Sequence, residues 1–235
     1  MTSINTAIDR LDWASIGAQL DAEGYALLPG LLGADAARKL AQRMRTAKDI
    51  KGEPLHAADL GGADLLYFSA SLPAPLDAWR AALYGHLAVI ANRWNETLGI
   101  ATRYPSALEE FQLRNHKAGQ TRGQSHLSRL VMGDHVPLHQ RNDGEHVFPL
   151  QVAAVLSEPG ADFQGGEFVM TEQRPRMQSR PLVLPLQLGD LAIIATAERP
   201  FKGAKGYYRV NLKHAVSRVR EGERIGLELL FHDAS

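Results

Sequence analysis

The spacing of apolar and polar positions changes about halfway along the chain. In the first part, apolar residues recur every three to four positions, with charged residues between them. This pattern predicts helices over residues 12–22, 35–48 and 76–98. Gly24 stands where the first helix would end, and Pro105 suits the first turn of a fourth helix. A short strand at 25–28 and a Gly-rich loop at 51–63 complete the prediction for this part.

After about Gln124 the chain consists of short β-rich runs separated by turn residues. These runs cover residues 125–132, 147–157, 167–171, 182–184, 191–196, 207–219 and 225–231. Strands of this length and spacing favour a jelly roll, and the preceding helices favour buttressing of one sheet. We therefore predict a mainly β, α+β fold. It is a single domain over 1–235, with a helical part over 1–123 and a jelly-roll part over 124–235.

The composition narrows the chemistry that this fold can carry. The chain has 235 residues, enough for a substantial core, and it contains nine histidines and no cysteine. Disulfides, thiolate nucleophiles, iron–sulfur clusters and cysteine-based zinc sites are therefore excluded. Any transition-metal site has to use imidazole nitrogen and oxygen ligands.

The charge balance bears on partners and location. Lys plus Arg number 26, as do Asp plus Glu, so the formal net charge is zero. This balance does not favour a strongly basic nucleic-acid clamp. The amino terminus is polar, and the sequence has no uninterrupted apolar stretch near the roughly 18 residues that a membrane span needs. We therefore predict no membrane association and a cytoplasmic location.

Two histidines and one arginine stand out by their context. His139 lies at the end of a predicted strand, and His214 lies within a late strand. Arg224 follows His214 by ten residues, after the turn-like segment 220–223. This spacing predicts a hairpin that brings Arg224 beside the strand carrying His214. A guanidinium placed there could clamp a carboxylate next to a metal.

The second half also carries a series of motifs in a fixed order. They are GDHVPLHQRNDGEH, LSEPG, GGEF, TEQRPRMQSR and HAVSR. With them the chain, from about residue 25 to its end, resembles the iron(II)/2-oxoglutarate dioxygenases, in a prokaryotic branch related to prolyl 4-hydroxylases. The resemblance implies a double-stranded β-helix, Fe²⁺, and 2-oxoglutarate and O₂ as co-substrates, and it leaves ascorbate open as an accessory reductant. It implies hydroxylation or demethylation of an organic substrate; repair of alkylated DNA is associated with such sequences.

The resemblance also assigns roles to individual residues. It makes His139 the first metal ligand, His214 the distal one, and Arg224 the partner of the far carboxylate of 2-oxoglutarate. Arg218, in HAVSR, is either a second anion-binding group or a surface charge. The arginines of TEQRPRMQSR, at 174, 176 and 180, are either a solvated loop or a contact with an anionic substrate such as a nucleic acid.

One position departs from the family pattern. The family motif H-x-D reads His139-Gln140-Arg141 here, and a guanidinium has no lone pair with which to bind a metal. Three interpretations follow. Asp143 supplies the carboxylate; or a non-protein ligand fills the position, as in halogenases of this superfamily; or the usual catalysis is altered or absent. In the third, the chain is a binding protein that holds an anionic ligand through Arg141 and Arg224.

A further acidic residue bears on this departure. Glu228 lies four residues after Arg224, so both share one face of a regular strand. We hypothesise that Glu228 or another acidic residue compensates the charge of Arg141 inside the barrel and so adapts the pocket to a different ligand. Resembling sequences also tend to carry Thr or Ser where this chain has Gly226.

Overall fold

A computed structural model describes residues 4–46, 50–54, 62–68 and 72–235. The helices in these ranges are α1 (Ile4–Asp9), α2 (Trp13–Glu23), α3 (Ala34–Thr46), α4 (Leu76–Thr97) and α5 (Leu108–Lys117). The first strands are β1 (Tyr25–Leu28), β2 (Ile50–Pro54), β3 (Asp64–Phe68), β4 (Arg122–Gly123), β5 (His126–Val131), β6 (Val136–His139), β7 (Leu150–Val155) and β8 (Phe163–Gly165). The others are β9 (Phe168–Gln173), β10 (Arg180–Leu184), β11 (Leu191–Ala195), β12 (Glu198–Gly203), β13 (Gly206–Val216), β14 (Val219–Leu229) and β15 (Asp233–Ala234).

Most strands belong to two antiparallel sheets. The major sheet has the order β1-β11-β7-β14-β5-β3-β2, with β8 also pairing β14. The minor sheet has the order β10-β9-β13-β12, with β6 also pairing β13. Successive strands such as β13 and β14 lie in different sheets, which is the connectivity of a jelly roll. The predicted double-stranded β-helix with N-terminal helices is therefore confirmed.

The helices supply the outer layer of the core. Helix α2 ends at Gly24, whose φ of 78° is a conformation that favours glycine. The helix contacts β1, β11 and β12. Helix α4 buries one face, and Tyr84 on that face contacts the rings of Phe111, Phe148 and Phe231. This buried aromatic cluster joins α4 and α5 to the strand ends beside the barrel.

Part of the first 123 residues extends the major sheet. Strands β1, β2 and β3 join it, with β1 pairing β11 and β3 pairing β5. The predicted loop over 51–63 is therefore wrong at 51–54, which belong to β2; residues 55–61 lie outside the described ranges. The alternation of polar and apolar residues that indicates a strand is not visible in this part of the sequence, because the strands are short and contain additional polar residues.

The fourth helix begins later than Pro105 predicts. Helix α5 begins at Leu108, after Ala107 in an extended conformation. The preceding chain is held against α4, because the Tyr104 backbone N–H donates to Asn92 Oδ1 and the Tyr104 hydroxyl donates to the Val147 carbonyl. These contacts keep the residues around Pro105 out of the helix.

The predicted hairpin between β13 and β14 is wrong. Residues 220–223 belong to β14, which pairs with β5, β7 and β8 in the major sheet and not with β13. The chain crosses between the sheets at Ser217–Arg218, between the two strands. Arg224 and His214 therefore belong to opposite walls of the barrel.

None of the helices in the described ranges combines the length and apolar composition that crossing a bilayer requires.

Candidate functional site

Three side chains with metal-ligating atoms meet between the two sheets. His139 ends β6 and stands directly opposite His214 of β13, with the ring centroids 4.2 Å apart. Glu228 projects from β14 of the major sheet towards them. The ligand atoms of these three residues all lie within 4.8 Å of one another. The fold therefore places two imidazoles and one carboxylate at one point inside the barrel.

His139 is held as a neutral imidazole with its second nitrogen available. Its Nδ1 lies 2.9 Å from the Pro137 carbonyl oxygen, which can only accept, so the proton is on Nδ1. Burial, with a smaller effect from His214, lowers the pKa of His139 to about 3. Nε2 is buried and has no hydrogen-bond partner among the described residues. An unpartnered nitrogen lone pair of this kind suits a metal ligand.

Glu228 is the carboxylate of this cluster. Its Oε2 lies 3.5 Å from His214 Nε2 and 3.4 Å from the amide nitrogen of Gln151 on β7. Burial alone would raise the pKa of Glu228, but His126, His214 and Arg141 outweigh it and hold the pKa well below 4.5. The carboxylate is therefore ionised at neutral pH.

Arg141 reaches across the barrel from the end of β6 to the major sheet. Its Nε lies 3.6 Å from Glu228 Oε2, which is an ion-pair distance rather than a hydrogen bond. Its Nη2 donates to His126 Nε2 over 3.3 Å, and His126 Nδ1 donates to the Gln124 carbonyl oxygen. Burial lowers the pKa of His126 to about 4, so this ring is neutral and can accept from Arg141. The hypothesis that Glu228 lies near enough to compensate Arg141 agrees with this geometry.

Arg224 is a second cation inside the barrel. The residue is 2% exposed, and its Nε donates to the Gly166 carbonyl oxygen at 2.8 Å. Burial, opposed by Glu228, lowers the pKa of Arg224 to about 10, so it remains charged at neutral pH. A Cβ on Gly166 would lie 2.8 Å from Arg224 Cδ, and one on Gly226 would lie 2.7 Å from its Nη1. Both glycines leave the room that the guanidinium occupies.

Other residues named from the sequence lie outside this cluster. Asp143 is exposed and is not part of the group that His139, His214 and Glu228 form. Arg218 is exposed at the crossing between the sheets. In the TEQRPRMQSR loop, Arg174 pairs with Glu172 and Arg180 pairs with Glu23.

Two further residues contact the cluster, and the sequence reasoning assigned neither of them as a ligand. Gln151 is fully buried, and its amide nitrogen lies 3.1 Å from His214 Nε2. The sequence does distinguish Gln151, because it is the polar residue in the otherwise apolar run LQVAAV. His126 is 1% exposed and contacts Arg141, and nothing in its local sequence distinguishes it from a surface histidine.

The residues present fit a divalent transition metal. Two imidazoles and one carboxylate form the ligand set that non-haem Fe²⁺ oxygenases use. One of the ligand atoms, His139 Nε2, has no hydrogen-bond partner among the described residues and is therefore available to a metal. Glu228 comes from β14, whereas the family pattern takes its carboxylate from the strand of the first histidine.

Comparisons with known proteins agree with this fold. Two uncharacterised proteins of Mycobacterium tuberculosis are 38% identical over 168 residues, which is 72% of this chain and 72% of each relative. A prolyl-4-hydroxylase from Pseudomonas putida is similar in structure, with a TM-score of 0.55 at 17% identity over 92% of this chain and 96% of its own. An oxidoreductase of the 2OG-Fe(II) oxygenase family from Burkholderia pseudomallei is also similar, with a TM-score of 0.57 at 18% identity over 96% of this chain and 94% of its own. At these identities the two structures show the fold.

A family model supplies the assignment itself. It matches residues 63–234, which include strands β3 to β15 and every residue of the cluster described above. The family is described as an oxygenase that catalyses oxidative methylation of damaged DNA. Since the match covers most of the chain, the protein belongs to this family of oxygenases.

Proposed function

We propose that this oxygenase uses Fe²⁺ and 2-oxoglutarate, with His139, His214 and Glu228 as the metal ligands. The observation that carries the proposal is the meeting of their ligand atoms within 4.8 Å inside the barrel. Glu228 supplies the carboxylate ligand that the family pattern has at the position of Arg141. Arg224 holds the far carboxylate of 2-oxoglutarate, since its buried guanidinium can bind a carboxylate bidentately.

The metal, when bound, supplies the activation of O₂ that lets one oxygen atom enter succinate and the other enter a C–H bond of the substrate. In this reaction 2-oxoglutarate loses CO₂ and supplies two electrons. Demethylation is the same reaction at an N-methyl carbon, followed by loss of formaldehyde.

The chain's own residues prepare the site for this reaction. The Pro137 carbonyl fixes the proton of His139 on Nδ1 and so directs Nε2 towards the ligand cluster. Gln151 contacts both His214 and Glu228, and Arg141 pairs with Glu228. These contacts orient the ligands and hold Glu228 ionised.

For the substrate, we propose an organic molecule that is hydroxylated or demethylated, with an alkylated nucleic acid as the first class to test. The family description, which refers to damaged DNA, supports this choice. The formal net charge of zero adds no support from electrostatics.

The alternative is a non-catalytic protein that binds an anion through Arg141 and Arg224. The ion pair between Arg141 and Glu228 is the observation that favours it, because the pair engages the carboxylate that a metal would need.

Anaerobic titration with Fe²⁺ and 2-oxoglutarate tests the two candidates. We expect a weak visible charge-transfer band and, after admission of air with ascorbate present, formation of succinate. His139→Ala should abolish both signals, because it removes the ligand atom that has no other described partner.

The matched control is His116→Gln, at a half-exposed histidine on α5 that is not part of the cluster. This variant should behave as the wild type. Failure of the wild type to give either the band or succinate would contradict the oxygenase proposal and favour the anion-binding alternative.

A further inference from the structure

We propose that the substrate carries a singly charged oxyanion, a carboxylate or a phosphodiester, and that Arg141 binds it beside the metal ligands. The inference rests on the proposed function, because it names a property of the substrate of that same site. It follows from the charges inside the barrel and from the placement of Arg141.

The described residues of the barrel interior carry more positive than negative charge. Arg141 and Arg224 are guanidiniums, whereas Glu228 is the one carboxylate in contact distance of either among the residues that the structure describes. Arg224 is 2% exposed, and the side chains of Arg141 and Glu228 are 13% and 10% exposed, so water screens these charges little.

The histidines do not correct this imbalance. A histidine side chain is either neutral or positively charged, so none of His126, His139 and His214 adds a negative charge in either form. One positive charge therefore remains without a counter-charge among the described groups.

The proposed cofactor and co-substrate leave this surplus unchanged. Fe²⁺ adds two positive charges, and 2-oxoglutarate, as a dianion, removes two. In the family pattern there is one ligand carboxylate and one 2-oxoglutarate-binding cation, and Glu228 and Arg224 correspond to these two groups here. Arg141 adds a second cation. Glu228 lies at ion-pair distance from Arg141 and is a single carboxylate for two buried guanidiniums, so one of the two positive charges lacks an anion, which is costly.

Arg141 is also placed where a substrate can reach it. Its side chain is 13% exposed, whereas Arg224 is 2% exposed and lies deeper in the barrel. Arg141 Nε lies 3.6 Å from Glu228 Oε2, so the two groups form an ion pair without a hydrogen bond. Arg141 Nη2 donates to His126. A guanidinium has five N–H donors, so donors remain for an oxyanion beside the contacts with His126 and Tyr67.

Binding of small monoanions to the metal-free full-length protein tests the proposal. The probes are dimethyl phosphate and acetate, each compared by calorimetry with an uncharged analogue, trimethyl phosphate or acetamide. We expect at least one monoanion to bind about tenfold more tightly than its analogue, as for a charge-assisted hydrogen bond. A preference for dimethyl phosphate would indicate a phosphodiester substrate, and a preference for acetate a carboxylate.

Variants locate the binding. Arg141→Gln should weaken the monoanion about tenfold or more, and Arg141→Lys should retain part of the affinity because it keeps the charge. Arg209→Gln, at an exposed arginine that pairs with Glu198 outside the cluster, should bind as the wild type does. Circular dichroism and urea unfolding establish that each variant is folded.

Two results would overturn the proposal. In one, neither monoanion binds the wild type more tightly than its uncharged analogue. In the other, Arg141→Gln binds the monoanions as tightly as the wild type. Both are distinct from failure of the proposed function, which the Fe²⁺ and 2-oxoglutarate titration of the wild type reports independently.

Discussion

At the scale of single residues, the site exchanges the positions of two charges. Arg141 stands two residues after His139, where the resembling dioxygenases carry a carboxylate, and Glu228 approaches the same point from β14. Arg141 cannot bind a metal, but its ion pair with Glu228 places the carboxylate next to both histidines. We therefore expect that a carboxylate introduced at position 141 can replace Glu228 as the metal ligand.

A double-variant cycle with Mn²⁺ as the probe tests this exchange. Glu228→Gln should lower the affinity for Mn²⁺ at least about tenfold, because it replaces an anionic ligand by a neutral one. Adding Arg141→Asp to that variant should restore most of the affinity, since the carboxylate then follows His139 by two residues. Calorimetry of the wild type, both single variants and the double variant gives the coupling.

Asp143→Asn is the matched control for this cycle. Asp143 is exposed and outside the cluster, so its neutralisation should leave the affinity for Mn²⁺ unchanged. A loss as large as that of Glu228→Gln would instead identify Asp143 as the ligand.

At the scale of secondary-structure elements, a buried ion pair joins α2 to the minor sheet. Arg199 of β12 is 1% exposed and pairs with Glu172 of β9, which is 2% exposed. The same guanidinium donates to the carbonyl oxygens of Asp21 and Ala22 in the last turn of α2, at 2.7 and 2.8 Å. It therefore satisfies helix carbonyls that have no partner within the helix.

Removal of this guanidinium should be strongly destabilising. Arg199→Met leaves Glu172 buried with Arg174 as its remaining partner and removes two bonds to α2, so we expect the free energy of unfolding to fall by about 3 kcal/mol. Arg209→Met is the control, because Arg209 is an exposed arginine on the same sheet that pairs with Glu198. Urea unfolding should show a change within about 0.5 kcal/mol for it; equal losses in the two variants would contradict the role of the buried pair.

At the scale of the whole molecule, burial of histidines makes stability depend on pH. Burial lowers the pKa values of His126 and His232 to about 4, from an ordinary value of 6.5. His232 lies beside the aromatic cluster, where its Nδ1 accepts from the Phe148 N–H at 3.3 Å. Because these pKa values are depressed on folding, the unfolded chain binds more protons between about pH 6.5 and pH 4.

The metal-free protein should therefore lose stability as the pH falls through this window. Each of the two histidines contributes a loss of about 2 kcal/mol between about pH 7.5 and pH 5, and the loss levels off below their folded pKa values. Urea unfolding across this range measures it. His232→Gln should show a shallower dependence, and an unchanged slope in that variant would contradict the assignment to His232.

Much of the fold could be predicted because its signals are local. The strand-and-turn spacing after Gln124 and the helical spacing before it follow from side-chain periodicity alone. Strands β2 and β3 could not be predicted in this way, since the pairing of β3 with β5, and not their own composition, places them in the sheet. The hairpin at residues 220–223 failed for the same reason, because β14 finds its partners in the opposite sheet.

The sequence by itself determined which chemistry is available. Without cysteine, and with His139 and His214 in motifs of the dioxygenase pattern, it restricted a metal site to nitrogen and oxygen ligands and showed that the expected carboxylate is an arginine. Only the tertiary structure decided where a carboxylate comes from. Glu228 lies 89 positions after His139, and the distance between their ligand atoms depends on the packing of two sheets, which local sequence does not encode.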